Sequence, residues 1–293
     1  GDATSIASAV AFRQLGIAAT AQGRLTLETG VPVSTTNQTA KTVLYYTPYS
    51  GDYVALYNTV KTRWDLFQFT ERSLSLSGLA ANTNYDIFIW DNSGTLTLQA
   101  VAWASSGAGT STRSSAISRL QGVWVKDSDK RRYLGTIRTT SVAGECEDSV
   151  LKRYLWNVYN REFRLLDVTD TTAHTYTSTT PRPWNGSFLG VSFVIGLDVT
   201  VTTEVAGTLN GGVVYCLVNG CDHGTSTGTY TSQSTTTATR SLLLLYGSSA
   251  LLTRPAGYRG VTFGYNTLEV YELGGLGGAN QFTIARLLGN VQS

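Results

Sequence analysis

Tyr85-Asp86-Ile87-Phe88-Ile89-Trp90, then Asp91-Asn92-Ser93-Gly94, then Leu96-Thr97-Leu98-Gln99-Ala100-Val101-Ala102-Trp103 carries a clear secondary-structure signal. Two runs of strand length, rich in aromatic and aliphatic residues, flank a cluster of turn formers. Leu96 and Leu98 alternate with Thr97 and Gln99, the period of two expected when one side of a strand is buried. The pattern therefore predicts a β-hairpin.

The same grammar extends in both directions. Upstream, strands are predicted at Leu25/Leu27, Val43 to Tyr46, Tyr53 to Tyr57 and Leu66 to Phe69, with Pro48-Tyr49-Ser50-Gly51-Asp52 as a turn. Downstream, Val123 and Val125 are expected to pair with Tyr133 to Ile137 across Asp127-Ser128-Asp129-Lys130. Short strands separated by such turns read as a sandwich or barrel. A second run follows at Phe188 to Val199, Gly212 to Val218, Ser241 to Tyr246, Tyr258 to Phe263, Leu268 to Leu273 and Phe282 to Leu288. Long polar loops, Thr169 to Pro183 and Asp222 to Thr239, lie among them and are candidate binding surfaces.

Between the two runs, Leu151, Tyr154, Leu155, Val158 and Tyr159 recur at three- and four-residue spacing after Asp148, a good N-cap, with Glu145 and Glu147 close by. The expectation is an amphipathic connector helix over 146–161. A chain of 293 residues exceeds the usual domain size of roughly 100 to 150 residues. The predicted architecture is all-β: two jelly-roll-like β-sandwich domains, 24–145 and 162–293, joined by that helix. Residues 1–23, with apolar positions at Ile6, Val10, Phe12 and Leu15, are expected to form a short docking segment ending its helical pattern near Gly16.

Composition narrows the function classes. Charged residues are 14% of the chain, against roughly 25% in typical soluble domains. A net charge of +2 without a basic block gives little attraction for a phosphate backbone, so nucleic acid is not an expected partner. The longest compact apolar run, Leu242 to Tyr246, falls far short of the roughly 20 residues that a bilayer-crossing helix needs, and no membrane insertion is expected. The chain starts at Gly1, contains no Met and shows no basic stretch leading into an apolar core. That pattern fits a protein made in the cytoplasm with a trimmed initiator.

Cofactor and metal signatures do not emerge. There is no phosphate-cradling loop, nucleophile elbow or complete dinucleotide fingerprint, and Gly274-Gly275-Leu276-Gly277-Gly278 reads as a loop. The two histidines, His174 and His223, fall in the polar loops and are expected to be solvated. Cys221-Asp222-His223 supplies too few ligands for a structural zinc. Cys216 and Cys221 bracket Leu217-Val218-Asn219-Gly220, an Asn-Gly hairpin signal that could set the thiols face to face as a disulfide. Cys146 reads as a small buried apolar residue.

Two kinds of candidate site remain. Asp167 and Asp170 are the carboxylates that a glycan-cleaving site would use, since such sites pair acids about 5 to 9 Å apart; turn residues are the plainer reading. Most of the sixteen tyrosines and six tryptophans sit in strands. Trp184, in Pro181-Arg182-Pro183-Trp184-Asn185-Gly186, is the exception read as exposed, able to stack on a sugar or else to plug the end of a sandwich. His223 and Tyr230 join it as candidate ligand-binding residues in the second polar loop.

Several strings together resemble a known family. Arg24-Leu25-Thr26-Leu27 with Val31-Pro32-Val33, Leu44-Tyr45-Tyr46-Thr47-Pro48-Tyr49, Val54-Ala55-Leu56-Tyr57, Arg132-Tyr133-Leu134-Gly135-Thr136 and Lys152-Arg153-Tyr154-Leu155-Trp156-Asn157 resemble tailed-phage virion proteins labelled structural or tail-fibre-like. The resemblance runs from about Arg24 to Arg161 and thins beyond, apart from Ala285-Arg286-Leu287-Leu288-Gly289. It implies a virion component assembled in the host cytoplasm and carries no catalytic motif. The expectation is a fibre, spike or decoration protein, homotrimeric, joined to other virion proteins through its N-terminal segment and able to engage a host surface glycan. The competing classes are a polysaccharide depolymerase and a carbohydrate-binding module.

Overall fold

A computed structural model describes residues 14–197, 199–210, 213–222, 236–246, 261–274 and 281–293. The chain is all-β, built from several sheets. Among the described residues, helical structure is limited to a turn at 14–18 and the 3-10 turn Trp184–Gly186.

The chain divides into two compact units. Unit 1 comprises Gly1–Ser106, Thr112–Asp148 and Tyr154–Glu162; unit 2 comprises Gly107–Ser111, Ser149–Arg153 and Phe163–Ser293. The larger sheet of unit 1 runs in the order Thr95–Ala102, Asn84–Asn92, Arg132–Arg138, Val123–Lys126, Ile117–Leu120, and Leu155–Asn157 also pairs with Arg132–Arg138. A second sheet sets Val43–Pro48 between Gly23–Thr26 and Arg72–Ser75. Tyr53–Asn58 and Arg63–Gln68 form a separate hairpin.

The hairpin legible at 85–103 is present, with Asn92 opposite Thr95 and both Ser93 and Gly94 at positive φ, the two-residue turn that suits strand twist. Asn84 through Ile89 are all buried, so both faces of this strand are covered. Burying Asp86 there is tolerable because Arg113 Nε and Thr136 Oγ1 reach its carboxylate at 2.6 and 2.7 Å.

The connector helix does not form. Residues 146–157 hold three short strands, Cys146–Asp148, Lys152–Arg153 and Leu155–Asn157. Tyr154, Leu155, Trp156 and Asn157 are four consecutive buried residues, a demand that a helix with one apolar face cannot meet. Asn157 also uses its side-chain amide as a piece of backbone, accepting from Leu25 N at 2.7 Å and donating to Leu25 O at 3.2 Å. Glu147 and Asp148, expected to cap that helix, instead lie buried in a strand paired with Gln38–Lys41. The expected Val123/Val125 hairpin is shorter than predicted, pairing with the next strand at Val125 opposite Arg132.

In unit 2, Gly264–Leu273 lies between Gly190–Ile195 and Val213–Val218, Lys152–Arg153 pairs in parallel with Gly190–Ile195, and Arg182–Pro183 adds to Gly264–Leu273. The second sheet runs Phe163–Asp170, Gln281–Gln292, Val199–Asn210, Thr236–Tyr246. The strand expected at Leu268 to Leu273 begins earlier, at Gly264; of the one expected at Tyr258 to Phe263, residues 261–263 are not in a strand and 258–260 lie outside the described residues.

Of the N-terminal segment, residues 1–13 lie outside the described residues. Ile17 and Ala18 pack against Ala55, Trp64, Val123 and Val125 within unit 1, so this part of the segment serves its own core. No described helix is long and apolar enough to cross a membrane.

Candidate functional site

The residues that looked most chemical in the sequence gather in unit 2. Strand register brings them together: His174 pairs with Phe282 and Arg182 with Glu272. Glu272 is fully buried, with His174 Nε2 at 2.5 Å and Arg182 Nε at 2.7 Å from its two oxygens. The imidazole stacks on Phe282 at 5.3 Å and meets the Trp184 ring edge-on at 4.9 Å. Trp184 Nε1 donates to Asp170 Oδ2 at 2.9 Å, and Arg182 lies over the Tyr176 ring at 3.8 Å.

This arrangement corrects the expectations for Trp184 and His174 and bears on the glycan-cleaving alternative at Asp167 and Asp170. Trp184 is 1% exposed, so it offers no open face to a sugar and instead fills the interior beside Phe282. His174 is not a solvated loop residue: its Nδ1 faces Thr172 O at 3.1 Å and its Nε2 faces Glu272, leaving neither nitrogen for a substrate. Asp167 and Asp170 do not converge. Three residues apart on one strand, they project to opposite faces, and Asp167 is held by Arg286 through two contacts of 2.9 and 2.8 Å. Burial raises the Asp170 carboxyl, yet the Thr172 hydroxyl and N–H, the Trp184 indole and His174 outweigh it and hold the group below the usual Asp range. The cluster reads as a clamp that fastens 170–184 to the sheets.

Glu272 was missed in the sequence, although a signal existed. Gly264–Leu273 alternates buried and half-buried positions, and Glu272 falls in the buried register with Leu268 and Val270. A carboxylate on the apolar side of an alternating strand needs a partner.

His223 and Tyr230 lie outside the described residues. Asn219 and Gly220 both take positive φ, forming the expected tight turn, but the register sets Cys221 opposite Val218 while Cys216 pairs with Val270 on the other neighbouring strand. The backbone register therefore sets Cys216 and Cys221 diagonally across the hairpin, not directly opposite one another. Cys146 is buried, and burial pushes its thiol well above the reactive range.

An accessible site lies in unit 1, where sequence reasoning placed only strands and turns. A cleft of about 340 Å³ opens between the Tyr53–Asn58/Arg63–Gln68 hairpin, the end of Asn84–Asn92 and the turn before Arg132–Arg138. Tyr57, Phe67 and Trp90, each half-buried, supply its aromatic lining, while Asp91, Lys130 and Arg131 supply charge. Arg131 stacks over Trp90 at 3.9 Å and donates to Gln99 Oε1 at 2.7 Å, which holds the indole in place. Partly exposed rings with polar groups nearby suit a ligand having both apolar faces and hydroxyls. Among the described residues, no group of three or more His, Cys, Asp or Glu is placed to hold a metal ion.

No protein-family model matches the chain, and neither does any curated protein. Among solved structures it is similar to wild-type Bacillus thuringiensis insecticidal crystal protein Cry7Ca1, at 9% identity and a TM-score of 0.21, over 92% of this chain and 50% of that one. The chain thus spans about half the length of that protein. A likeness at that score carries no argument about function.

Proposed function

We propose that this chain is a displayed component of a tailed-phage virion, a fibre, spike or decoration protein, and that the unit 1 cleft is where it meets a host surface glycan. The cleft carries the reading: its aromatic side chains line an opening of about 340 Å³ at the end of β-hairpins. The sequence resemblance over 24–161, which includes all of the cleft's strands, supports the virion placement. A shallow site of this kind gives millimolar affinity, about 4 kcal/mol, so attachment would need several linked copies, as in a trimer.

Fluorescently labelled intact protein incubated with host cells tests the reading. Binding should be saturable and should fall about tenfold in Trp90→Ala, removal of a stacking ring. Absence of cell binding together with absence from purified particles would refute it. Release of reducing ends from host polysaccharide would favour the depolymerase class instead.

A further inference from the structure

We infer that the interior of unit 1 binds a chloride ion, held between the Nε and Nη2 edge of Arg132 and the hydroxyls of Tyr159 and Tyr46. The inference concerns enclosed groups and does not depend on the glycan reading of the cleft.

Arg132 is 1% exposed, and its Nη1 donates to Ala18 O and Ala55 O, both at 2.9 Å. Those bonds tie the N-terminal segment and the strand Tyr53–Asn58 to the strand that Arg132 opens. Both acceptors are neutral carbonyls. Among the described residues no carboxylate pairs with Arg132, and its Nε and Nη2 are buried with no hydrogen-bond partner. The rings of Tyr159 and Trp64 lie 4.6 and 5.8 Å from its guanidinium carbon and temper the charge without supplying an anion. Buried charges are ordinarily paired, so this one retains a demand for a negative group.

The hydroxyls beside it are donors as well. Tyr159 Oη is buried with no hydrogen-bond partner. Tyr46 Oη accepts from Gly23 N at 3.2 Å, which leaves its own hydrogen for another acceptor, and both Arg132 and Tyr159 act on it electrostatically. Burial, the larger influence, raises that hydroxyl well above the usual tyrosine range against the opposing pull of Arg132, so it stays protonated and donates. Arg132 Nε and Nη2, Tyr159 Oη and Tyr46 Oη thus form a group of buried donors around one positive charge. A single acceptor of unit negative charge answers both the unmet donors and the unpaired cation. A water molecule would accept from two of these donors and leave the charge unpaired. Enclosure decides among anions: the interior is closely packed, which disfavours phosphate or sulfate, whereas a monatomic halide accepts from any direction. Since the edge is shielded from solvent, the ion is taken up as the unit folds, and its signature is a halide-dependent stability.

Scanning calorimetry of the intact chain in sodium gluconate, with chloride replacing gluconate at constant ionic strength, tests the site. At a hundredfold excess of chloride over its dissociation constant, the unit 1 midpoint should stand roughly 5 to 10 °C above its value in gluconate. Bromide should substitute for chloride, and crystals grown with it should show an anomalous peak within hydrogen-bonding distance of Arg132 and Tyr159. In gluconate, Tyr159→Phe should melt at or above the parent, because it deletes a buried hydroxyl that lacks a partner. In chloride the same variant should gain less than half of the parent's shift. Arg132→Lys, verified as folded by circular dichroism, should lose the chloride dependence.

Midpoints that coincide in gluconate, chloride and bromide would overturn the inference and assign the Arg132 edge to water. A chloride shift of full size in Tyr159→Phe would place the ion elsewhere and refute the assignment. Sulfate raising the midpoint as much as chloride would mark a general salt effect and refute a bound halide.

Discussion

Replacing Trp184 with alanine separates a structural tryptophan from a ligand-stacking one. The side chain is almost wholly enclosed, contacts the rings of His174 and Phe282, and hydrogen-bonds Asp170. Truncation of a buried tryptophan costs about 3 to 5 kcal/mol, combining lost burial with the cavity left behind. The Asp170 hydrogen bond adds about 1 kcal/mol, discounted because Asp170 is partly exposed. For a unit of this size each kcal/mol shifts the melting midpoint by roughly 2 to 4 °C, so Trp184→Ala should lower the unit 2 transition by about 10 to 20 °C. Trp184→Phe keeps a ring and should lose less than half as much. Differential scanning calorimetry reads both, provided the units melt in separable transitions. If Trp184→Ala melted within about 1 °C of the parent while losing glycan binding, the enclosed geometry would be wrong and the exposed reading of this residue restored.

Two further outcomes follow from packing and titration in unit 1. Gly135→Ala would set a Cβ 2.1 Å from Trp156 O and 2.9 Å from Leu25 Cδ1, and a paired backbone oxygen cannot step aside, so urea denaturation should show a loss of about 3 kcal/mol; an unchanged midpoint would contradict the register of that strand pair. Burial raises the Glu71 carboxyl, but hydrogen bonds from the Thr29 and Thr47 hydroxyls and from Gly30 N–H outweigh it and hold the group below its ordinary value of 4.5. A carboxyl depressed in the folded state contributes stability above its unfolded value and loses it as pH falls through the lower, folded one. Melting measured from pH 6 downward should therefore steepen below about pH 4.5, and Glu71→Gln should flatten that part of the profile.

Local pattern alone determined that this chain is built of strands. Alternating side chains at 96–99 and two-residue turn signals at Ser93-Gly94 and Asn219-Gly220 depend on neighbours along the chain, and the structure places hairpins at both turns. The segment 146–161 went the other way because its spacing satisfied a helix, whereas its strand partner, Arg132–Arg138, and the Leu25 backbone that bonds the Asn157 side chain lie beyond the reach of a local pattern. Tertiary pairing overrode a local preference worth only tenths of a kcal/mol per residue.

The candidate sites show the same division. Trp184 was visible as unusual, but whether a tryptophan in a loop faces water or a core depends on what covers it, and Phe282 and His174 arrive from other strands. The cleft was invisible because Tyr57, Trp90 and Arg132 look like ordinary strand residues until the hairpin at 53–68 and the turn at 127–130 are brought side by side. Side-chain periodicity reports which face of an element is apolar; which faces meet, and which cation is left without an anion where they meet, is fixed only when distant strands pack together.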